Sequence, residues 1–589
     1  MLRRIPRFAL ATLLAVGVPC RAAIDLDLSY VDLQSPAYQR FKAWVDQAVA
    51  GDPGYAFSAT DAATLFRLTG QAPYATLAVQ MVERQVAEAE ALIAQGQRPE
   101  ISGDSYLHVG EMLRDLALTY DWCAASVTPQ QRTRWSAYAQ QAVWNVWHPD
   151  EAQWGGHAHP WSGWSIDNPA NNYYYSFVEA TMVWALATGD ASQRAAWMQL
   201  LQDVKLPALE QYAATLAGGG SQEGTGYGLS HRSLFWLYRL WRDTTGADLA
   251  NANAHLTDSI AWWIHATVPT RDRVAPIGDQ SRVSEPVLYD YHRHLMLEAH
   301  RMTDDATARA NASWWLHSVS QTQMESGFNF RHDLLPSGSD GVPPADLVYH
   351  ASGTGQLFAR TGWDEGAMWL QFSAGPYRES HAHQDQGSFT LFQNDWLAVT
   401  ENIWTHSGIQ QGTDVHNLLR FERDGAIVPQ RVDTVSTMTV VPGAGGAVHV
   451  EADLTPAYAG DPAVQSWQRT LDFAGGRLTV HDSYALDANT QAVFQLNVPM
   501  RPVINGSTAQ AGALRLRVLS PPGATLSALD WSTRSDEDET YRQGWRIDVA
   551  GGVGEYVVEL EAGDEVFADG FDGTVRVSPD ADRTATAGR

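Results

Sequence analysis

The spacing of apolar residues changes once along this 589-residue chain, near residue 345, and that change limits the possible folds more than any other feature. Between about residues 36 and 320, apolar residues recur every three or four positions, which is typical of helices with one buried face. These helical segments are many, similar in length and separated by short Gly, Pro and Asp breaks, which indicates helical hairpins arranged in a toroid or a solenoid. After residue 345 the apolar runs become short and β-rich, with turn residues between them. We therefore predict a multidomain α + β protein, with an N-terminal (α/α) helical toroid followed by a C-terminal antiparallel β-sandwich.

The two ends of the chain differ in composition from the rest. Arg3, Arg4 and an apolar run over residues 8–18 precede the small residue Ala22, so residues 1–22 are expected to form a cleaved signal peptide. Residues 566–589 are rich in Asp, Gly and Thr and are expected to form a disordered tail. Because a chain of this length needs more than one core, we assign residues 23–330 to the toroid and 331–565 to the sandwich. The protein is expected in the bacterial periplasm or outside the cell.

Net charge, hydropathy and cysteine content exclude several features from the expected protein. A formal charge of −27 argues against nucleic acid, although a local basic cleft could still bind an anionic polymer. No apolar run of about 18 residues follows the signal peptide, so no membrane span is expected. Cys20 lies in the signal peptide and Cys123 stands alone, so no intrachain disulfide is expected. The sequence gives no indication of oligomeric state.

Aromatic and amide residues are concentrated in the middle of the helical half. Trp161 is followed by Asn171, Asn172 and Tyr173. Aromatic faces bind the C–H side of a sugar ring, and amides bind hydroxyls and carboxylates. The alternative is a core aromatic patch in which Asn172 caps a helix. The local sequence leaves both interpretations open.

A glycine-rich segment, residues 218–227, contains Gln222 and Glu223 and ends at Tyr227. Glycines allow the backbone to approach a ligand closely. His231 and Arg232 follow within about one helical turn, and a tyrosine beside cationic groups is a candidate acid or base, because a nearby positive charge lowers its pKa. An ordinary glycine-rich turn with a packed tyrosine is the alternative.

The sandwich half contains a His-x-His pair, His381 and His383, followed by Glu401 and His416. If the pair lies on a strand, both imidazoles point to the same face. His383, Glu401 and His416 could then bind a divalent metal, for which zinc fits best, with a structural role. Asp385 or Asn402 could take the place of Glu401, and His381 would remain available for catalysis. The alternative is two separate histidines with ordinary hydrogen bonds.

Four motifs in order resemble the heparinase II/III-like polysaccharide lyases, relatives of which include exo-acting alginate lyases. The motifs are Asn171-Asn172, the Gly-Ser-Gln-Glu-Gly-Thr-Gly-Tyr segment ending at Tyr227, the block from His381 to Phe389, and His416-Asn417. The resemblance covers nearly the whole chain after residue 22. It implies a toroid joined to a sandwich, with β-elimination at a uronic acid in the cleft between them.

The resemblance also implies roles for individual residues. Tyr227 matches the catalytic tyrosine, Asn172 the asparagine that neutralises the substrate carboxylate, and His381 a catalytic histidine. His383 and His416 match metal ligands, whereas the family usually has Asp at the position of Glu401. Tyr173 stands where many of these lyases have a histidine, so the base on that side of the sugar is either absent or supplied by another residue, with His157, His159 and His381 as the candidates.

The predicted function is therefore a lyase that cleaves an anionic uronic-acid polysaccharide by β-elimination. Tyr227 would act as acid or base, with Asn172 and His381 neutralising the uronate carboxylate or His381 acting as the base. Eight further residues are predicted to contact substrate: Asn171, Tyr173, Gln222, Glu223, His231, Arg232, Tyr377 and Trp161. Two alternatives are an inactive glycan-binding relative and a cupin-type metal enzyme. The sequence leaves the polymer and the endo or exo mode open.

Overall fold

A computed structural model describes residues 24–280, 284–319, 329–378, 380–536 and 539–563. The expected signal peptide, residues 1–22, and the expected tail, residues 566–589, lie outside these ranges. Within them the N-terminal half is helical and the C-terminal half consists of antiparallel sheets. The predicted fold class is confirmed.

Twelve α-helices lie in the described part of the N-terminal half. They are α1 (Pro36–Val49), α2 (Ala59–Thr69), α3 (Ala72–Ile93), α4 (Val109–Trp122), α5 (Pro129–Trp147), α6 (Asn172–Ala187), α7 (Ala191–Leu200), α8 (Leu206–Thr215), α9 (His231–Thr245), α10 (His255–Ala266), α11 (Asp290–Met302) and α12 (Ala306–Ser318). Their ends carry ordinary signals: Thr128 and Gln131 form a capping box at α5, and Gly246 ends α9 in the left-handed region.

The described strands are short, and most belong to three sheets. They are β1 (Gln153–Trp154), β2 (His157–Ala158), β3 (Val348–Ala351), β4 (Gln356–Arg360), β5 (Trp369–Ser373), β6 (Pro376–Tyr377), β7 (Phe389–Gln393), β8 (Asp395–Ala398), β9 (Leu419–Arg423), β10 (Ala426–Ile427), β11 (Thr434–Val435), β12 (Thr437–Pro442), β13 (Val448–Asp453), β14 (Val464–Ala474), β15 (Arg477–Leu486), β16 (Thr490–Val498), β17 (Val503–Asn505), β18 (Thr508–Ala511), β19 (Leu514–Ser520), β20 (Thr525–Asp530), β21 (Ser535–Asp536), β22 (Glu539–Thr540), β23 (Trp545–Ala550) and β24 (Glu555–Ala562). The sheet orders are β3-β4-β5-β7-β8, β10-β9-β16-β23-β20 and β12-β13-β14-β15-β24-β19-β18-β17, all with antiparallel pairing.

The β3-β4-β5-β7-β8 sheet separates two hydrophobic cores. Phe358 and Trp369 pack into the core of the helical half, whereas their neighbours Leu357 and Leu370 pack into the core of the sandwich. Successive side chains of a strand point to opposite faces, so each strand of this sheet contributes to both cores. The sheet is therefore buried on both faces and fixes the two halves against each other.

Hydrogen bonds across this junction set its register. The indole of Trp369 donates to the carbonyl of His265 at 2.9 Å, and the guanidinium of Arg360 donates to the carbonyl of Thr267 at 2.8 Å. All four residues are buried. A buried carbonyl without a donor is costly, so these bonds favour one orientation of the halves.

The described connection between the halves, residues 329–347, belongs in part to the helical domain. Arg331 pairs with Asp61 at 2.9 Å, and Leu334 packs in a core cluster with Phe41. The first strand of the sandwich begins at Val348. The residues just after 330 therefore make contacts with the helical half, and the predicted division at residue 330 stays a prediction. In the ranges that the structure covers, none of the helices has both the length and the apolar composition needed to span a bilayer.

Candidate active site

Three loops meet where the helical half joins the sandwich, and glycines allow them to pack closely. A Cβ on Gly226 would lie 1.9 Å from the carbonyl oxygen of Asp279, and one on Gly278 would lie 2.8 Å from that of His381. The amide of Asp279 donates to the carbonyl of His381 at 3.0 Å. The glycine-rich segment, the Asp279 loop and the His-x-His segment are therefore held together at one point, directly beside Tyr227.

Tyr227 and His381 stack face to face. Their ring centroids are 3.7 Å apart and the ring planes differ by 2°. Tyr227 opens a single 3₁₀ turn, Tyr227–Ser230, that leads into α9, and both side chains remain partly exposed. The two residues that the sequence predicts to be catalytic are therefore in direct contact, one from each half of the molecule.

The carboxylate of Asp279 accepts hydrogen bonds from His381 and from two neighbouring side chains. It accepts from His381 Nδ1 and from His383 Nε2, each at 2.9 Å, and from Gln411 Nε2. Burial by itself would raise the pKa of Asp279, but the hydrogen bonds from the two histidines hold the pKa below its ordinary value. Because a carboxylate only accepts, His381 carries its proton on Nδ1, which leaves Nε2 for the substrate side.

The His-x-His pair lies in the loop between β6 and β7, so the predicted strand placement is wrong. The two imidazoles nevertheless converge, because both bind Asp279. Asp279 lies in none of the sequence motifs described above. A buried carboxylate 102 positions from His381 has no local pattern that would reveal the contact.

The predicted metal triad is not assembled. His383 Nδ1 lies 3.2 Å from His416 Nε2. Because Nε2 of His383 donates to Asp279, its Nδ1 is the acceptor and His416 Nε2 is the donor in the bond between the two rings. Glu401 lies elsewhere: its buried carboxyl is packed against Gly544, where a Cβ would be 2.3 Å from Oε2. Within the described ranges, no group of three or more His, Cys, Asp or Glu side chains is arranged to hold a metal ion. The described residues do not bring Glu401 and the two histidines together as a metal site, and zinc stays a prediction.

The amino end of α6 forms the second side of the site. Asn171 is the N-cap, and its side chain accepts from the amide of Tyr173 at 3.2 Å. The buried carboxylate of Glu223 accepts from the backbone amide of Asn172 at 3.1 Å and from Asn171 Nδ2 at 3.3 Å. Glu223 Oε1 also lies 3.8 Å from His381 Nε2. Asn171, not Asn172, therefore caps the helix, and Asn172 is left with a buried Oδ1 that has no hydrogen-bond partner among the described residues.

A strained turn reaches the site from the start of α4. Asp104, Ser105 and Tyr106 all have left-handed backbone angles, with φ values of 41°, 51° and 64°. Such a conformation costs about 1–2 kcal/mol for each residue other than glycine. The exposed carboxylate of Asp104 accepts from the hydroxyl of Tyr173 at 3.0 Å. No local sequence pattern marks Asp104, because this left-handed turn is made without glycine.

The carboxylates around Tyr227 set its protonation state. Burial raises the pKa of Tyr227, and the charges of Asp279, Glu223 and Asp104 raise it further. Tyr227 is therefore protonated at neutral pH. The expectation that nearby cations lower its pKa is wrong, since the charges that act on it here are negative.

The remaining predicted contact residues fall into two groups. Gln222 lines a small cavity with His383 and Asp385, and Tyr377 is close enough to Asp385 for that charge to raise its pKa, after the larger effect of burial. These two residues border the site, although Tyr377 is largely buried.

The other predicted contact residues are bonded to or packed against residues of the helical half. His231 is wholly buried and bonded through Nε2 to Tyr175, so its assignment as a substrate contact is wrong. Arg232 donates to the carbonyl of Leu229 and lies over the ring of Tyr291. Asn171 and Glu223 are also wholly buried, and support the site from behind.

Trp161 supports the strained turn. Its indole donates to the carbonyl of Asn145 at 3.0 Å, and its ring packs on Tyr106 with centroids 5.2 Å apart. Tyr106 is buried, so the Trp161 contact helps to hold Asp104 in place. The core interpretation of this aromatic patch therefore accounts for Trp161.

Comparison with solved structures gives a direct match for this architecture. Heparinase III superposes with a TM-score of 0.60 at 14% identity, over 92% of this chain and 87% of that one. The fold is that of heparinase III. Heparan sulfate lyase HepC from Pedobacter heparinus gives a TM-score of 0.58 at 14% identity, over 92% and 86% of the two chains. A second heparinase III gene product gives a TM-score of 0.55 at 12% identity, over 91% of this chain and 92% of that one. No protein-family model and no curated protein matches the sequence.

Proposed function

We propose that the protein is a polysaccharide lyase that cleaves a uronic-acid polymer by β-elimination. The observation that carries this proposal is the stack of Tyr227 on His381 at the junction of the two halves. In this chain the junction brings a tyrosine hydroxyl and an imidazole to one place. The names of the similar structures, heparinase III and heparan sulfate lyase, favour an anionic glycan as the substrate class.

Elimination requires that the uronate carboxylate be neutralised before the C5 proton leaves, because negative charge grows on that group in the transition state. Asn172 fits this role. Its amide lies at the amino end of α6, where the helix dipole also favours an anion, and its buried Oδ1 end has no hydrogen-bond partner among the residues that the structure covers. Because the Oδ1 end is the buried one, the NH₂ end of the amide is the end that can donate to a substrate carboxylate.

Proton transfer is divided between the stacked rings. His381 holds its own proton on Nδ1 against Asp279, so Nε2 offers a lone pair that takes the C5 proton of the sugar. The C4–O4 bond then breaks, the C4–C5 double bond forms, and Tyr227 gives its hydroxyl proton to O4. The resting enzyme is restored when the proton on His381 returns to the tyrosinate through solvent.

The test is ultraviolet absorbance of the conjugated double bond during incubation with a panel of uronic polymers. The panel contains alginate, heparan-type glycosaminoglycans and bacterial exopolysaccharides rich in uronate. Absorbance should rise with at least one polymer, and both Tyr227→Phe and His381→Ala should lose nearly all turnover. New reducing ends without absorbance would establish hydrolysis and overturn the proposal. Binding without any cleavage would favour a glycan-binding protein instead.

A second experiment separates the two proton transfers. A uronate substrate with a good leaving group at C4 needs no acid, so it should restore turnover to Tyr227→Phe and not to His381→Ala. Restoration in neither variant would mean that Tyr227 also acts as the base.

A further inference from the structure

Three arginines and two glutamates line a pocket of about 170 Å³ on the outer face of the sandwich, called the arginine pocket below. Its walls are formed by Arg477 of β15, Arg515 and Arg517 of β19, and Glu559 and Glu561 of β24. Strand β24 lies between β15 and β19 in the sheet, so the glutamates stand between the arginines. All three arginines are exposed. The pocket is therefore open to solvent and lined by charged side chains alone.

The ion pairs of the arginine pocket leave one arginine over. Arg517 pairs with Glu559 at 2.7 Å. Arg477 lies 3.4 Å from Glu559 and 3.5 Å from Glu561. Among the residues that the structure covers, the guanidinium of Arg515 has no ion pair and no hydrogen bond, although Glu561 is its cross-strand neighbour. Three positive charges against two negative ones leave a local positive excess, in a chain with a formal charge of −27.

The core of the sandwich separates the arginine pocket from the Tyr227–His381 pair. The residues that alternate with the pocket side chains, Leu478, Leu516 and Leu560, point into this core. Another wall of the core is the β3-β4-β5-β7-β8 sheet, whose far face packs on the helical half. Packed sheets lie about 10 Å apart, so a single sugar cannot contact both places, whereas a long polymer can.

We propose that the arginine pocket is a second binding site for the acidic polysaccharide, separate from the catalytic pair. The inference rests on the proposed lyase function, which makes a polymer of uronic acids the partner. The planar guanidinium of Arg515 can bind a carboxylate through two parallel N–H donors, and Arg477 and Arg517 add positive charge beside it. A polymer held at two points stays at a high effective concentration near the catalytic pair after each release.

A purely structural role explains only part of the pocket. Cross-strand pairs of opposite charge stabilise a sheet, which accounts for Arg477 and Arg517. It does not account for Arg515, whose charge has no partner among the described residues. Arg515 also allows a clean test, because replacing an exposed and unpaired side chain leaves no buried group without its partner. Variants at this position are therefore expected to fold as the wild type does.

Titration calorimetry of the inactive variant Tyr227→Phe with sodium alginate, a polymer of uronic acids, tests the pocket without turnover. Adding Arg515→Gln should raise the Kd about threefold at low ionic strength, the effect of one exposed ion pair. Adding Arg515→Glu should raise the Kd further. Adding Glu561→Gln should lower it, because this change removes a carboxylate that competes with the polymer. Opposite effects of two substitutions in one pocket cannot arise from unfolding.

Arg84→Gln is the matched control. Arg84 is exposed on α3 and, like Arg515, forms no ion pair with another described residue, so its replacement should leave the Kd unchanged. An equal loss of affinity in Arg84→Gln and Arg515→Gln would show that only the overall charge matters, and would overturn the inference. An unchanged Kd in Arg515→Gln, or no binding of alginate by the parent Tyr227→Phe, would overturn it too.

Steady-state turnover separates this site from the proposed lyase function. If the protein cleaves a uronic polymer, Arg515→Gln should raise the KM for long chains more than the KM for a tetrasaccharide, which is too short to reach both places. If the wild type cleaves no polymer but the calorimetric differences are found, the lyase proposal fails and the second site stands. Cleavage without those differences would overturn the second site and leave the lyase proposal intact.

Discussion

Asn171 of helix α6 donates from Nδ2 to the buried Oε1 of Glu223 at 3.3 Å, and this bond joins the helix to the glycine-rich segment. The same oxygen accepts the backbone amide of Asn172 and lies 3.8 Å from His381 Nε2. One carboxylate therefore positions three residues of the site without being accessible to substrate. Its charge also complements the positive end of the α6 dipole.

The charge and the hydrogen bonds of Glu223 can be separated by mutation. Glu223→Gln keeps an acceptor for Asn172 but removes the charge that faces His381, so we expect turnover to fall by about tenfold or more, with a small loss of stability. Glu223→Ala also leaves buried donors unpaired, which should lower the free energy of unfolding by about 1–3 kcal/mol. Urea denaturation and steady-state turnover check both results. Full turnover in Glu223→Gln would show that the charge has no role.

Asp279→Asn tests the orientation of His381. An amide in this position offers NH₂ to one of two histidines that both present N–H, so His381 is expected to rotate or change tautomer. We expect kcat to fall by roughly a hundredfold, with little change in the binding of a substrate oligosaccharide. A loss confined to KM would contradict this role.

The fold could be predicted because its two halves differ in local periodicity. The helical half shows the three- and four-residue spacing, and strands such as β14 alternate between exposed and buried positions. The contacts of residues 331–335 with the helical half could not be predicted, because their burial depends on distant partners such as Asp61. Pairing over such separations leaves no local signal.

Only those residues of the site that lie in short sequence motifs could be predicted. Tyr227, His381 and Asn172 lie in motifs and do come together at the junction. Asp279 and Asp104 belong to no motif, because their roles arise from contacts over long sequence separations. His231 was misassigned because the helical spacing from Tyr227 holds only in an α-helix, and the chain there forms a 3₁₀ turn.

Arg469 links the sandwich core to the loops of the site. It forms a fully buried bidentate pair with Asp482, and its remaining nitrogen donates to the carbonyls of Gly387 and Asn417. Arg469→Met leaves the Asp482 charge buried and unpaired, so the free energy of unfolding should fall by about 3–5 kcal/mol in urea denaturation. The double variant Arg469→Met/Asp482→Leu should recover part of the loss. No loss in the single variant would show that Asp482 finds another partner.

Glu401 provides a test of the predicted zinc site. Its carboxyl has no hydrogen-bond partner among the described residues and packs on Gly544. Within the described ranges it does not form a group with His383 and His416 that could hold a metal ion. Glu401→Gln should therefore leave the zinc content of the purified protein the same as in the wild type, by elemental analysis. His416→Ala is the matched comparison, because it removes one of the two adjacent imidazoles. Loss of zinc in Glu401→Gln would show that Glu401 is a ligand after all.

Buried neutral histidines predict how stability depends on pH. Burial lowers the pKa of His255 to about 4, from an ordinary value of 6.5. Between these values the unfolded chain binds a proton that the folded protein does not, so stability falls as the pH falls. A difference of about 2.5 pKa units corresponds to roughly 3 kcal/mol for this one residue. The effect is complete only below the folded pKa.

The contribution of His255 can be isolated from that of other groups. Its Nε2 donates to the carbonyl of Gly220, and His255→Gln keeps a donor for that carbonyl but cannot titrate. The slope of unfolding free energy against pH, from urea denaturation between about pH 4.5 and 6, should decrease by about 1.4 kcal/mol per pH unit. The exposed residue His317 provides the control, since His317→Gln makes the same replacement at the surface and should change the slope less. An unchanged slope in His255→Gln would mean that this histidine takes up its proton in the folded protein as readily as in the unfolded chain, and that the packing around Gly220 opens to admit the charge.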